Sequence, residues 1–285
     1  MASNQDQNDH ARFIQAGNLM RQNVQEEYDS AVRATVGWTM ALIIVSIAFA
    51  MLTAAAIRRF TQDDVASYMI GGIVHMGTGL ALHAYLLERH YRAPGILRFF
   101  TLLIFLACVG AIAAISYFRA DLMIEQGRPR ATSYMLTAFM GLLEIGLPSL
   151  FGFMLFKAWL RKDIAYEDLQ WVKGVAARIP QEDSPDYGWL DEGYHFKKRI
   201  REIDNELPHL NLALQTADAH RHGVNAADAE AKIYELRSEK EKLQRKYDRI
   251  ITWYPGQSDE AEREIEKRLR GEEPPPSTPI SSDGT

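Results

Sequence analysis

Four residues that could carry chemistry interrupt the apolar half of this sequence: His75, His83, Glu144 and Pro148. A carboxylate at the centre of a bilayer costs on the order of 3 kcal/mol, so Glu144 must be protonated, paired or turned toward a polar interior. Pro148 has no backbone N–H, which leaves the carbonyl of Glu144, four residues earlier, without its helical donor. This helical turn therefore offers an acidic side chain and a free backbone oxygen.

Three interpretations of His75, His83 and Glu144 are open at this stage. Their side chains could form interhelical hydrogen bonds that hold a helix bundle together. They could also relay protons or cations, because ionisable groups inside membranes often mark such paths. A haem or metal site would need a second copy of the chain or Glu144 as a ligand, because an eight-residue spacing turns the two histidines about 80° apart around a helix.

Enzyme signatures do not occur in the sequence, which has no GxxxxGK[ST] loop, no HExxH and no GxSxG. We therefore predict no catalytic residues, no metal site and no cofactor, although an activity on lipids that uses dispersed His and Glu stays open. The single Cys108 excludes an intramolecular disulfide and a metal site built from paired thiolates. A net charge of −5 gives no basic surface for phosphates, so nucleic acid is not an expected partner.

The elements that must position these residues are four apolar segments, each long enough to cross a hydrocarbon core of roughly 30 Å as a helix. In the second segment Gly71, His75, Gly79 and His83 recur at intervals of four and predict a packing stripe on one helix side. Residues 36–160 are therefore predicted to form a four-helix transmembrane bundle. The predicted spans are residues 36–57, 68–87, 99–118 and 134–156.

Basic residues near the span ends predict the orientation, because Lys and Arg are retained on the cytosolic side. Nine of them flank one side of the predicted bundle and five flank the other. Both termini are therefore expected in the cytosol. The nine are Arg21, Arg33, Arg89, Arg92, Arg98, Lys157, Arg161, Lys162 and Lys173, and the five are Arg58, Arg59, Arg119, Arg128 and Arg130.

The N-terminal segment, residues 1–35, is polar but carries a weak amphipathic pattern. Apolar or small residues recur three or four positions apart, which is typical of one helix face. We expect a helix on the membrane surface or at its interface that leads into the first span. The stripe consists of Phe13, Gly17, Met20, Val24, Tyr28 and Ala31.

Two further polar segments follow the bundle. Residues 161–189 are predicted to hold an interfacial helix, for which Asp163 is a candidate N-cap, or an extension of the fourth span, followed by a linker at residues 180–188. Residues 255–285 are predicted to hold a short charged helix and a Pro-rich tail that forms no packed structure.

Residues 190–254 carry the most regular apolar pattern of the polar half, with two heptad seams of about three repeats each. Gly223 and Asn225 can cap the turn between them, so we predict an antiparallel helical-hairpin coiled coil in the cytosol. Pro208 and Lys240 interrupt the seams, which indicates either a contact with another copy or partner, or a local bend with a snorkelling lysine. The seam residues are Ile200, Ile203, Leu207, Leu210, Leu214, Ile233, Leu236, Leu243, Tyr247 and Ile250.

The sequence thus predicts an all-α integral membrane protein that acts as an anchor or scaffold. Its bundle holds the chain in the lipid bilayer, and its hairpin binds another copy of the chain or a cytosolic protein. The alternative is a small ion or proton channel or transporter subunit that uses the intramembrane His and Glu residues.

Overall fold

In a computed structural model, every regular element in the described part of the chain is an α-helix, which confirms the all-α prediction. The described residues are 4–91, 93–178, 185–215, 226–255 and 258–271. The helices are α1 (Asn4–Thr61), α2 (Asp64–His90), α3 (Gly95–Glu125), α4 (Arg130–Arg178), α5 (Pro185–Gln215), α6 (Ala226–Trp253) and α7 (Ser258–Leu269).

Four helices, α1 to α4, are long and apolar enough to cross a membrane, and each contains one of the predicted spans. The expectation of four such helices is confirmed. Helices α1 and α4 also continue well past the apolar segments, to lengths of 58 and 49 residues. Asp163 lies inside α4 and does not cap a new helix. Of the two alternatives considered for this segment, the structure has the extension of the fourth span.

The chain divides into two compact units. The apolar unit is Glu26–Tyr166, and the polar unit combines Met1–Gln25 with Glu167–Thr285. The boundaries between them fall inside α1 and inside α4.

Side chains of the apolar unit are distributed as expected of a protein surrounded by lipid. Many large apolar side chains on α1 to α4 are exposed, whereas its buried positions include a series of polar residues. A soluble domain would bury the first group and expose the second, so this arrangement supports a membrane environment. The buried polar residues are Ser46, Thr53, Ser67, His75, Thr78, Ser116, Ser133, Thr137 and Glu144. The exposed apolar residues include Met40, Ile44, Ile47, Met51, Met69, Ile73, Leu103, Leu106, Phe139 and Leu142.

Glycines let α2 approach its neighbours closely. A Cβ atom added at Gly71 would lie 3.1 Å from the Cα of Ala50 in α1, and one added at Gly79 would lie 2.7 Å from the backbone oxygen of Pro148 in α4. A Cβ added at Gly152 would lie 2.9 Å from the carbonyl carbon of Gly79. Helices α2 and α4 therefore pack backbone to backbone, as small residues permit inside membranes.

The polar unit has an apolar core contributed by α5, α6 and α7. Its central residues include Tyr194 from α5, Tyr247 from α6 and Ile265 from α7. An added Cβ at Gly193 would lie 2.6 Å from the Cδ1 of Ile265, so α7 packs tightly on α5. The sequence predicted α7 as a short charged helix, and the structure adds that it completes this core.

Ion pairs join α5 and α6 side by side. Arg199 contacts Glu239 at 2.8 Å, and the next pairs along α5 are Asp204 with Lys240 and Glu206 with Lys232. From Arg199 to Glu206 along α5 the partner changes from Glu239 to Lys232 of α6, and the middle pair, Asp204 with Lys240, departs from this order. Lys240, which interrupts the α6 seam, is thus paired within the chain.

Two predicted connections differ from the structure or lie outside it. Helix α5 begins at Pro185, so residues 185–188 of the predicted linker are helical, and residues 180–184 lie outside the described residues. Proline at the first position of a helix is favourable because its missing N–H has no helical acceptor. The predicted turn at Gly223 and Asn225 lies outside the described residues, and Pro208 lies within an unbroken α5.

The first residues of the N-terminal stripe are buried against protein, while most other residues of this part of α1 are exposed. Phe13, Met20 and Val24 are all buried, and the ring of Phe13 packs against that of Tyr254 at 5.7 Å between centroids. A weak amphipathic pattern predicts a helix with one apolar face, but it does not specify whether lipid or protein covers that face.

Candidate functional site

A buried ion pair lies inside the apolar unit. Glu144 of α4 is fully buried, and one of its carboxylate oxygens accepts a hydrogen bond from Arg119 Nη1 at 2.7 Å. The Arg119 side chain is 11% exposed, and its Nη2 also donates to the backbone oxygen of Leu52 at 3.4 Å. The guanidinium thus compensates the carboxylate and links α4 to α3 and α1.

The second carboxylate oxygen of Glu144, Oε2, is buried and has no hydrogen-bond partner among the described residues. A carboxylate can accept about four hydrogen bonds, so Oε2 retains unused capacity. An unsatisfied buried polar atom costs roughly 1–3 kcal/mol, and more when it belongs to a charged group. The site therefore keeps a strong acceptor available within the bundle.

His75 of α2 lies next to this ion pair. Its ring is fully buried and packs against Phe49 of α1 at 5.3 Å between centroids. The ring lies beside the backbone carbonyl of Glu144, the oxygen that Pro148 leaves without a helical donor. Neither ring nitrogen makes a hydrogen bond of ordinary geometry to any described residue.

Three serine hydroxyls of the apolar unit also lack a hydrogen-bond partner. The Oγ atoms of Ser46, Ser116 and Ser149 are buried and unpartnered within the described ranges. Buried threonines behave differently, because Thr53 and Thr137 donate to carbonyls of their own helices at 2.9 and 2.8 Å. Unused hydrogen-bonding groups therefore come from α1, α2, α3 and α4, and sites of this kind commonly hold ordered water.

Of the residues predicted from sequence, the structure brings His75, Glu144 and the Pro148 turn together. His83 lies two helical turns further along α2, and its ring faces Trp159 with centroids 6.1 Å apart. Its Nδ1 is buried without a partner in the described structure. Along α2, Gly79 lies between His75 and His83, and it is there that α2 makes its close contact with Gly152 of α4.

Arg119 is the site residue that the sequence analysis missed. It was counted among five basic residues at one end of the bundle, because it directly follows the third predicted span. Helix α3 continues to Glu125, and Arg119 turns inward from it. The only available signal was that Glu144 needs a cation and that Arg119 is close to the end of an apolar helix.

This arrangement can bind and release protons, but it offers few ligands to a metal. In the part of the chain that the structure describes, no three His, Cys, Asp or Glu side chains converge to form a metal site. Glu144 and Arg119 carry opposite charges in a medium of low dielectric, and Glu144 and His75 are the groups of this site that can gain or lose a proton. Small changes in protonation there have large electrostatic consequences.

The polar unit contains its own buried ion pairs. Asp168, 1% exposed, accepts from Arg249 Nη2 at 3.2 Å, and Arg268, 5% exposed, donates to Asp191 at 2.6 Å. Burial raises the pKa of Tyr247 to about 12.

The predicted seam residues of α5 and α6 are not equally buried. Six of them lie within the interior of the polar unit, whereas Leu207, Leu210, Leu214 and Leu243 are only half-buried. The buried ones are Ile200, Ile203, Ile233, Leu236, Tyr247 and Ile250.

No family model, curated protein or solved structure matches this chain.

Proposed function

We propose that this chain is a multi-pass membrane anchor whose polar unit binds another copy of the chain or a cytosolic protein. The observation that carries the proposal is the incomplete burial of the α5 seam. Ile200 and Ile203 of this seam are buried, whereas Leu207, Leu210 and Leu214 are only half-buried. A heptad seam that extends beyond its own core fits a coiled-coil contact with a partner helix.

Two large apolar side chains on other faces of the same two helices are also exposed. Leu212 of α5 is 59% exposed and Tyr234 of α6 is 47% exposed. Apolar and aromatic side chains of this kind are enriched at the centres of protein interfaces. The surface defined by the half-buried Leu207, Leu210 and Leu214 of α5 is called the distal seam below.

Crosslinking in native membranes tests the proposal. Leu207→Asp and Leu210→Asp should reduce the yield of crosslinked complexes at least several-fold, because each places a charge in the distal seam. Leu19→Asp is the matched control, since Leu19 is 46% exposed on α1. Partner capture with a chain lacking residues 190–255 tests the same surface. If complexes form equally well after the aspartate substitutions and after the deletion, binding through the polar unit is ruled out.

We further propose that both termini lie in the cytosol. The basic residues that flank the spans support this orientation. Because Arg119 is engaged with Glu144, four of the five basic residues at the opposite end remain to oppose the nine at the cytosolic end. Protease protection of tags placed at each terminus, in sealed vesicles, tests this orientation.

A second candidate function is a subunit that conducts protons or ions. The observation in its favour is the site formed by Glu144 and His75, where buried polar atoms from several helices lack partners in the described structure. Flux into proteoliposomes should then disappear in Glu144→Gln and persist in Glu125→Gln, which changes an exposed carboxylate on α3. Equal flux in protein-containing and empty liposomes would exclude this candidate.

A further inference from the structure

We propose that Glu144 is a proton-binding site and that Arg119 is the counter-ion that a bound proton displaces. The inference goes beyond the anchor function, and it does not require that protons cross the membrane. It rests on the geometry of the buried pair and on the charges that surround it.

The groups that face Glu144 can be named for each helix of the bundle. The predicted span of α1 has no charged residue, and it presents the backbone oxygen of Leu52 to the site. Helix α2 contributes the imidazole of His75, and α3 contributes Arg119 and the hydroxyl of Ser116. The predicted span of α4 contains no charged side chain other than Glu144 itself. Arg119 is thus the cation that balances this carboxylate.

Charge balance requires that Arg119 leave when Glu144 is protonated. The ion pair is neutral as a whole, but a protonated Glu144 beside a retained Arg119 would leave one uncompensated positive charge. An uncompensated charge in a low-dielectric interior is strongly unfavourable. A second neutral state exists when the proton stays and the guanidinium moves into water.

The position of Arg119 makes this exchange possible. Arg119 directly follows the last residue of the third predicted span, and its side chain is 11% exposed while Glu144 is fully buried. A long arginine side chain can extend its charged end toward the membrane interface. The partner that moves is therefore Arg119, and Glu144 stays inside.

The exchange is balanced in atoms and charge. A proton from water adds to a carboxylate oxygen of Glu144, and the hydrogen bond from Arg119 Nη1 to Oε1 breaks. The guanidinium keeps all its protons. The new carboxylic O–H needs an acceptor, and the unprotonated nitrogen of a neutral His75 ring lies next to the same helical turn. Deprotonation reverses these steps and restores the pair.

Infrared spectroscopy of the full chain in proteoliposomes tests the proposal through the C=O stretch of a protonated carboxylic acid. On acidification the wild-type protein should gain a band that is absent in Glu144→Gln and retained in Glu125→Gln. In Arg119→Gln the band should already be present at higher pH, because a nearby cation lowers the proton affinity of a carboxylate by roughly 10- to 1,000-fold. In Arg119→Lys, which keeps a cation at this position, the band should appear at a pH close to that of the wild type.

Two results would overturn the proposal: a band that titrates identically in wild type and Arg119→Gln, or a band that persists in Glu144→Gln. If Glu144→Gln does not fold, the comparison of wild type with Arg119→Gln and Arg119→Lys still decides. Proton flux measured in the same proteoliposomes separates this site from the second candidate function. A titrating band without flux supports the site and excludes conduction.

Discussion

The closest helix contact of the apolar unit provides the sharpest test of its packing. Gly152→Ala adds a methyl group to α4 at the point where α4 meets Gly79 of α2. The new Cβ would lie 2.9 Å from the carbonyl carbon of Gly79 and closer still to its oxygen, whereas ordinary contacts begin at 3.4 Å. Both atoms belong to the backbone and cannot rotate away, so the two helices must separate by at least about 0.5 Å over this contact.

The expected cost follows from this geometry. Overpacking a well-filled interior costs about 1–3 kcal/mol, and the upper end applies because backbone atoms cannot yield. Packing inside a membrane depends mainly on van der Waals contact, since lipid removes the hydrophobic driving force between helices. We therefore expect Gly152→Ala to lower the free energy of unfolding by about 3 kcal/mol.

Equilibrium unfolding of the full chain in mixed micelles with increasing dodecyl sulfate measures this change through the loss of helical circular dichroism. Gly146→Ala is the matched control, because Gly146 lies on the same helix and an added Cβ there meets no atom within 4 Å. The control should unfold at the wild-type detergent fraction or slightly above it. If Gly152→Ala and Gly146→Ala unfold at the same detergent fraction, α2 and α4 do not make this close contact.

Three predictions concern the polar unit of the full chain. Arg249→Ala should lower the free energy of unfolding by about 1–3 kcal/mol, measured by denaturation, because the buried Asp168 keeps Arg245, which is more distant at 3.9 Å, but loses its hydrogen bond from Arg249; exposed Arg237→Ala should change little. The folded protein holds the Tyr247 proton up to a pKa of about 12. The unfolded chain loses it near 10, so stability should fall from pH 10 to 12 by at most about 3 kcal/mol, and Tyr247→Phe should remove that part of the alkaline loss. Gly193→Ala should cost no more than about 1 kcal/mol in the same denaturation assay, because the atom it meets is the mobile end of an isoleucine side chain.

The features predicted correctly from sequence depend on local pattern. Four uninterrupted apolar segments of about 20 residues define membrane-crossing helices by length and hydropathy alone. Helix α6 ends at Trp253 and α7 begins at Ser258, on either side of Pro255, which disfavours a helical conformation in the residue before it. Signals of this kind need no knowledge of which helices are neighbours.

The features that sequence analysis missed depend on tertiary contacts. Arg119 reads as an interfacial anchor because a basic residue at the end of an apolar helix usually faces the headgroups. Only the placement of α3 beside α4 shows that it reaches Glu144 instead. The stripe through Phe13 and Met20 likewise could face lipid or protein, and its amphipathic period is the same in both cases.

His75→Phe separates the remaining interpretations of the intramembrane histidine. If His75 holds the bundle together through hydrogen bonds, its loss must destabilise the protein, but its ring makes no hydrogen bond of ordinary geometry to a described residue, including the adjacent backbone carbonyl of Glu144. Replacing an unsatisfied buried polar ring with an apolar ring removes a desolvation cost of roughly 1–3 kcal/mol. The phenyl ring also retains the contact with Phe49. We therefore expect His75→Phe to be as stable as wild type or more stable in the dodecyl sulfate assay, while its carboxylic acid band changes because the acceptor beside Glu144 is lost. A marked loss of stability would instead assign His75 a structural hydrogen bond and leave Glu144 without this acceptor for its proton.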